Sequence, residues 1–147
     1  MNADKVILHH SAGQDGPENN TAGIRRWHMG TPPNGPADGP YRDVAYHALC
    51  EKVGDSYEII MGRPWDMNGA HTVGQNSTAL GICLCGNFNL APPPDAQLLV
   101  AAKFVAMWTR IYRIPFENIF RHDFFNQTDC PGNLFDMEKF VMMVRDA

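Results

Sequence analysis

Alternating apolar and polar positions mark four strands in this chain. "KVILHH" (Lys5 to His10), "VAYHALCE" (Val44 to Glu51), "YEIIMG" (Tyr57 to Gly62) and "LGICLC" (Leu80 to Cys85) are short and rich in β-formers. "KVGDS" between the second and third reads as a hairpin turn. A period of two puts Val44, Tyr46, Ala48 and Cys50 on one face and Ala45, His47, Leu49 and Glu51 on the other. Tyr46 and His47 are therefore expected to look in opposite directions, as are His9 and His10.

After "PPPD" the period lengthens. Leu98, Ala101, Ala102, Val105, Trp108 and Tyr112 recur at helical spacing until Pro115, with Asp95 as the expected N-cap. Shorter helices are expected at "NNTAGIRRWHM", capped by Asn20 or Thr21, and at "FDMEKFVMMVRDA", whose methionines read as amphipathic packing. Residues 30–43 carry too much Pro and Gly for either element and read as a long loop. The expected fold class is mixed α/β: a central mixed β-sheet, partly antiparallel because of the hairpin, flanked by about three helices.

Composition narrows the picture. A chain of 147 residues suits one domain, taken here as 1–147. Twelve basic against sixteen acidic residues, a net charge of -4, give no footprint for phosphate backbones, so no nucleic acid partner is expected. No apolar run approaches the roughly 20 residues a bilayer requires, which argues against membrane insertion. "MNADKVILHH" lacks the basic start, apolar body and cleavage site of a signal peptide, so cytoplasmic synthesis is expected. A monomer is the favoured state. Cys50, Cys83 and Cys85 lie in apolar runs and read as buried thiols rather than disulfide halves.

The candidate chemistry is scattered. His9 and His10 end the first strand, and "RHDFFNQTDCPG" sets His122 and Cys130 in a segment crowded with turn residues. Zinc accepts imidazole and thiolate, and three protein ligands with a fourth position open to water form a catalytic arrangement. The residues alone leave two readings open: a His/His/Cys metal site, or satisfied histidines beside a buried thiol.

Four ordered blocks, "VILHHSAG", "VAYHALCEK", "GAHTVGQNSTALGICLCGNF" and "RHDFFNQTDCPGNLF", resemble the zinc-dependent N-acetylmuramoyl-L-alanine amidases of phage endolysins and peptidoglycan recognition proteins. The likeness runs from about Val6 to the final helix. It implies Zn2+ on His9, His122 and Cys130, with Tyr46 and Thr128 in the catalytic cleft. By the same resemblance, zinc-activated water hydrolyses the amide between N-acetylmuramic acid and L-alanine. Tyr46 would donate to the developing oxyanion, and Thr128 would position the water or support the same charge.

The partner this implies is peptidoglycan or a muropeptide, met at the bacterial cell wall after release of the protein. His71 is expected either to line the substrate groove or to cap a loop, and Trp65, in a loop just before it, to line the groove. Trp27 is expected in the core, His10 away from the metal, and His47 in a structural role. Pro131 and Gly132 suit a chain reversal behind Cys130.

The sequence also departs from the family's pattern. Where members carry lysine or threonine two residues before the cysteine, this chain has Thr128. The family's "N-x-x-S" is "NSTA", ending in Ala79, and its "GRGW" is "GRPW" at Gly62 to Trp65. The resemblance does not place the secreted animal members' disulfide on these cysteines, which suits a bacterial or phage-like protein. Two rival readings stand beside the amidase: a non-catalytic peptidoglycan-binding module of the same fold, and a cysteine hydrolase using Cys130 with His122 as base.

Overall fold

Val6, Ile7 and Leu8 have no solvent exposure, because β1 (Lys5–His10) runs between two neighbours inside the sheet. The computed structural model describes residues 1–14, 16 and 19–147. The other strands are β2 (Ala48–Val53), β3 (Ser56–Met61), β4 (Ala79–Leu84) and β5 (Ile119–Arg121), in the order β3-β2-β4-β1-β5. The β2/β3 hairpin is antiparallel, with Val53 opposite Ser56 and Gly54 turning at φ 59°, as "KVGDS" suggested. The other pairings are parallel: β2 with β4, β4 with β1, and β1 with β5. At three residues, β5 is too short to leave a periodic signal.

The sheet has two unlike faces. On one, Val6, Leu8, Ala48, Cys50, Leu80, Ile82 and Leu84 pack with residues of α2 (Asp95–Tyr112) and α3 (Met137–Asp146). Buried Gln97 fastens α2 to the sheet by donating from Nε2 to the carbonyls of Cys50, at 3.2 Å, and Cys85, at 2.9 Å. On the other face, Leu49, Cys83 and Cys85 cluster with Val44 and with Ile24 of α1 (Thr21–His28). Asn20 caps α1, its side chain accepting from the Gly23 amide at 2.9 Å. The four cysteines are buried as thiols.

Two expectations need correction. Pro94 occupies the cap position of α2, and Asp95 is the first helical residue, where its charge complements the helix dipole and its carboxylate pairs with Lys139 of α3 at 2.6 Å. The alternation expected from Val44 to Glu51 holds only once β2 begins at Ala48. Ahead of it, the carbonyls of Ala45, Tyr46 and His47 accept from Ala70, Arg63 and Gly62, and the chain bends. Tyr46 and His47 consequently lie on the same face, their rings 6.4 and 5.7 Å from that of His71.

Because β1 and β5 are parallel neighbours, their carboxyl ends lie side by side. His9 sits near the end of one, and His122 directly follows the other. Open α/β sheets bind ligands at this edge.

Candidate metal centre

Alternation along β1 sends His9 to the α1 side of the sheet and His10 to the α2 side, where its ring packs on Phe88 and its Nδ1 accepts the Phe88 amide at 3.1 Å. His10 thus faces away from the site. The loop after β5 doubles back so that the Asp123 amide donates to the Cys130 carbonyl at 2.9 Å. Arg121 fixes that loop, donating to both carboxylate oxygens of Asp123 and to the carbonyls of Phe135 and Gly132. Gly132, at φ 107°, makes the reversal expected behind Cys130.

As a result one ligating atom from each of His9, His122 and Cys130 lies within 4.8 Å of the others. Cys130 Sγ is 3.6 Å from His9 Nδ1, and the rings of His9 and His122 are 4.5 Å apart. Hydrogen bonding settles which nitrogens face inward. His71 Nε2 lies 3.2 Å from the Ala79 carbonyl, which can only accept, so it carries the proton and leaves His71 Nδ1 as an acceptor. His9 Nε2 donates to that atom at 2.9 Å, which leaves a lone pair on His9 Nδ1, toward Cys130. His122 Nε2 likewise donates to Asn126 Oδ1 at 2.9 Å. His122 Nδ1 is then a buried acceptor with no hydrogen-bond partner among the described residues.

Burial dominates the electrostatics. It holds His9 well below the ordinary histidine range, helped by the neighbouring His71 and His122, and lowers His122 as well. Both imidazoles are neutral and free to ligate. Burial also pushes the Cys130 thiol up to about 12, against the pull of the His10 amide, which donates to Sγ at 3.4 Å. A cation among these atoms would offset that penalty and favour the thiolate. Two imidazole lone pairs, one of them orphaned, and a thiol facing them fit a zinc site with an open fourth position.

The centre opens into a cavity of about 320 Å³ whose lining includes Tyr46, His71 and Thr128. One neighbouring cavity, of about 500 Å³, shares Trp27, His28 and Tyr46 with it, and another, of about 600 Å³, shares Tyr41, His71 and Thr128. The candidate metal centre thus lies on the cavity that adjoins both of the others. Tyr46 lays its ring 5.0 Å from that of His9, and burial, with Cys83 and Cys130 nearby, holds its phenol protonated well above the ordinary tyrosine range. Thr128 Oγ1 accepts the Cys130 amide at 3.2 Å and keeps its own proton to donate.

Other residues are placed differently from the sequence reading. Trp65 packs edge-on against Phe104 and Trp108 of α2, on the opposite face of the sheet, which removes it from the groove. Trp27, expected in the core, is 51% exposed on the cleft rim. His71 lines the cleft with both ring nitrogens engaged. His47 is structural as expected, its Nδ1 accepting from Gly81 and its Nε2 donating to the Met67 carbonyl. Sequence reasoning missed Asn126, which stands four residues from His122 outside any periodic element. It also assigned no role to His28, whose Nδ1 accepts the Ala45 amide so that its proton sits on Nε2 in the cleft wall.

Residues 1–133 match the N-acetylmuramoyl-L-alanine amidase family, Amidase_2. The chain belongs to that family. A human N-acetylmuramoyl-L-alanine amidase is 32% identical over 122 residues, which is 80% of this chain and 19% of the human protein. An endolysin of Klebsiella phage KP32 is 29% identical over 97 residues, 66% of this chain and 57% of the phage protein. The chain thus spans only about a fifth of the human amidase and just over half of the phage endolysin. Among solved structures, the N-acetylmuramoyl-L-alanine amidase LysC from Clostridium intestinale URNW superposes with a TM-score of 0.81 at 26% identity, covering 99% of this chain and 87% of that one.

Proposed function

We propose that this chain is a single catalytic domain that hydrolyses the amide between N-acetylmuramic acid and L-alanine in peptidoglycan or muropeptides, with zinc held by His9, His122 and Cys130. One observation carries the reading: a donor atom from β1 and two from the loop after β5 meet at the floor of a cleft, and His122 Nδ1 has no hydrogen-bond partner among the described residues. Family membership supports the amide as the bond cut. Bound there, zinc would polarise the scissile carbonyl and acidify water.

The protein's own groups do the rest. Tyr46 holds a protonated phenol beside His9, and a hydrogen bond from it to a developing oxyanion would strengthen as charge appears. Thr128, braced by the Cys130 amide, offers a hydroxyl for positioning water on the same side. Among the described residues no helix is long and apolar enough to cross a membrane. A protein of this kind would act on the wall after release, as an endolysin does.

Two measurements test the proposal. Elemental analysis should give about one zinc per chain, and mass spectrometry of digested peptidoglycan should show free stem peptides released from intact glycan strands. A metal-free active protein inactivated by alkylation would establish the thiol mechanism instead. Zinc-loaded protein that leaves muropeptides intact would leave only a binding module.

A further inference from the structure

The outer nitrogens of the two histidine donors are held from one place. His71 takes the proton of His9 Nε2, and it does so from a built slot. A Cβ added to Gly69 would lie 2.4 Å from the His71 ring, and one added to Gly81 would lie 2.6 Å from it, so both glycines are needed to seat that ring. Asn76 shapes the backbone around it, Oδ1 accepting the amides of His71 at 2.8 Å and Thr72 at 2.9 Å. Two residues on, the same turn reaches the other donor. The Val73 amide donates to Asn126 Oδ1 at 3.1 Å, and Asn126 Nδ2 donates to the Val73 carbonyl at 3.2 Å. This clamp on both sides of the amide sets which way Oδ1 points, and Oδ1 is the atom that accepts from His122 Nε2.

We propose that the turn from Gly69 to Asn76 is a positioning element for both histidine donors, so that cation affinity is set by a segment that contributes no ligand. His71 fixes the ring angle and tautomer of His9, and the Val73 backbone fixes those of His122 through Asn126. The inference rests on the zinc reading above. It goes beyond that reading by giving His71 and Asn126 orienting roles, since partners of the outer nitrogen govern how well an imidazole ligates. It also explains why Val73, whose side chain is 81% exposed, stands at the centre of the arrangement: only its backbone is used.

Cobalt and zinc titration of the full chain tests this, with affinity and the cobalt absorption spectrum as readouts. His71→Ala and Asn126→Ala should each weaken binding about 10- to 100-fold and alter the ligand-field bands, while the sulfur-to-cobalt band remains because Cys130 is untouched. Asn126→Asp keeps an acceptor for His122 and should bind far more tightly than Asn126→Ala. Val73→Ala should match the wild type. Should His71→Ala fail to fold, the Asn126 series decides the matter, because that side chain lies outside the turn and meets it only at Val73. Wild-type affinity and spectrum in both alanine variants would overturn the inference. A wild-type chain that takes up neither metal would instead overturn the zinc reading itself.

Discussion

The backbone amide of Ala45, one residue before Tyr46, donates to His28 Nδ1 at 3.0 Å, tying α1 to the segment that carries the phenol. The bond requires neutral His28. Burial, with Arg63 nearby, depresses its pKa to about 4. The unfolded chain, with a histidine pKa of about 6.5, therefore binds more protons than the folded one between those values. The stability tied to neutral His28 is complete above the unfolded value and is lost as pH falls toward 4. His28→Asn retains an acceptor without titrating. Urea unfolding in chelator between about pH 4 and 7 should show a pH slope shallower than wild type by up to one proton; parallel slopes would contradict the assignment.

Tyr46→Phe removes the proposed oxyanion donor and leaves all three ligands in place. Turnover should fall about 10²- to 10³-fold, the usual effect of losing one such donor, with zinc content unchanged. Parallel loss of metal and activity in this variant would refute the role.

Trp65→Ala separates the two faces of the sheet. The ring is half-buried against Phe104 and Trp108, so the loss should be on the order of 2–3 kcal/mol, below the 3–5 typical of a fully buried aromatic. Activity per folded molecule should not change. A raised KM with unaltered stability would return Trp65 to the groove.

Gly132→Ala strains the Cys130 loop twice. The φ of 107° disfavours a side chain, and the added Cβ would lie 2.5 Å from the Phe88 carbonyl carbon. Thermal unfolding should show a loss of at least about 1–3 kcal/mol, accompanied by weaker zinc binding as Cys130 shifts. Unchanged zinc affinity would mean that the loop does not need this turn to place the sulfur.

Zinc itself should stabilise the fold. At a free concentration about 1,000 times its Kd it adds roughly 4 kcal/mol, and chelator should reverse the shift. Cys130→Ser should lose most of that gain in a thermal scan, whereas Cys50→Ser, altered on the α2 face, should keep it.

Much of this was legible in the amino-acid order because regular ladders obey the period of two. Val6, Leu8 and His10 do face α2, with Ile7 and His9 opposite, and that alternation set the two histidines on different faces while the resemblance pointed to His9. The same rule failed at Tyr46 and His47, which precede β2: their carbonyls accept from Arg63 and Gly62 beyond the end of β3, although the His47 amide still donates to Gly81 of β4. Trp65 was misplaced for a related reason: nearness to His71 in sequence does not say which face a loop residue covers. Asn126 was invisible, since its bonds to Val73 span 53 residues and its bond to His122, four residues away, lies outside any periodic element. The proposed zinc ligands were legible only through resemblance, not through spacing.

The two-faced sheet leaves the protein open to piecemeal change. Bulk that resists unfolding lies between the strands and α2 with α3, while the candidate site lies across the sheet under α1 and its loops. Lineages or engineers could therefore harden the back for heat, or redraw the front for another wall chemistry, with little interference between the two efforts.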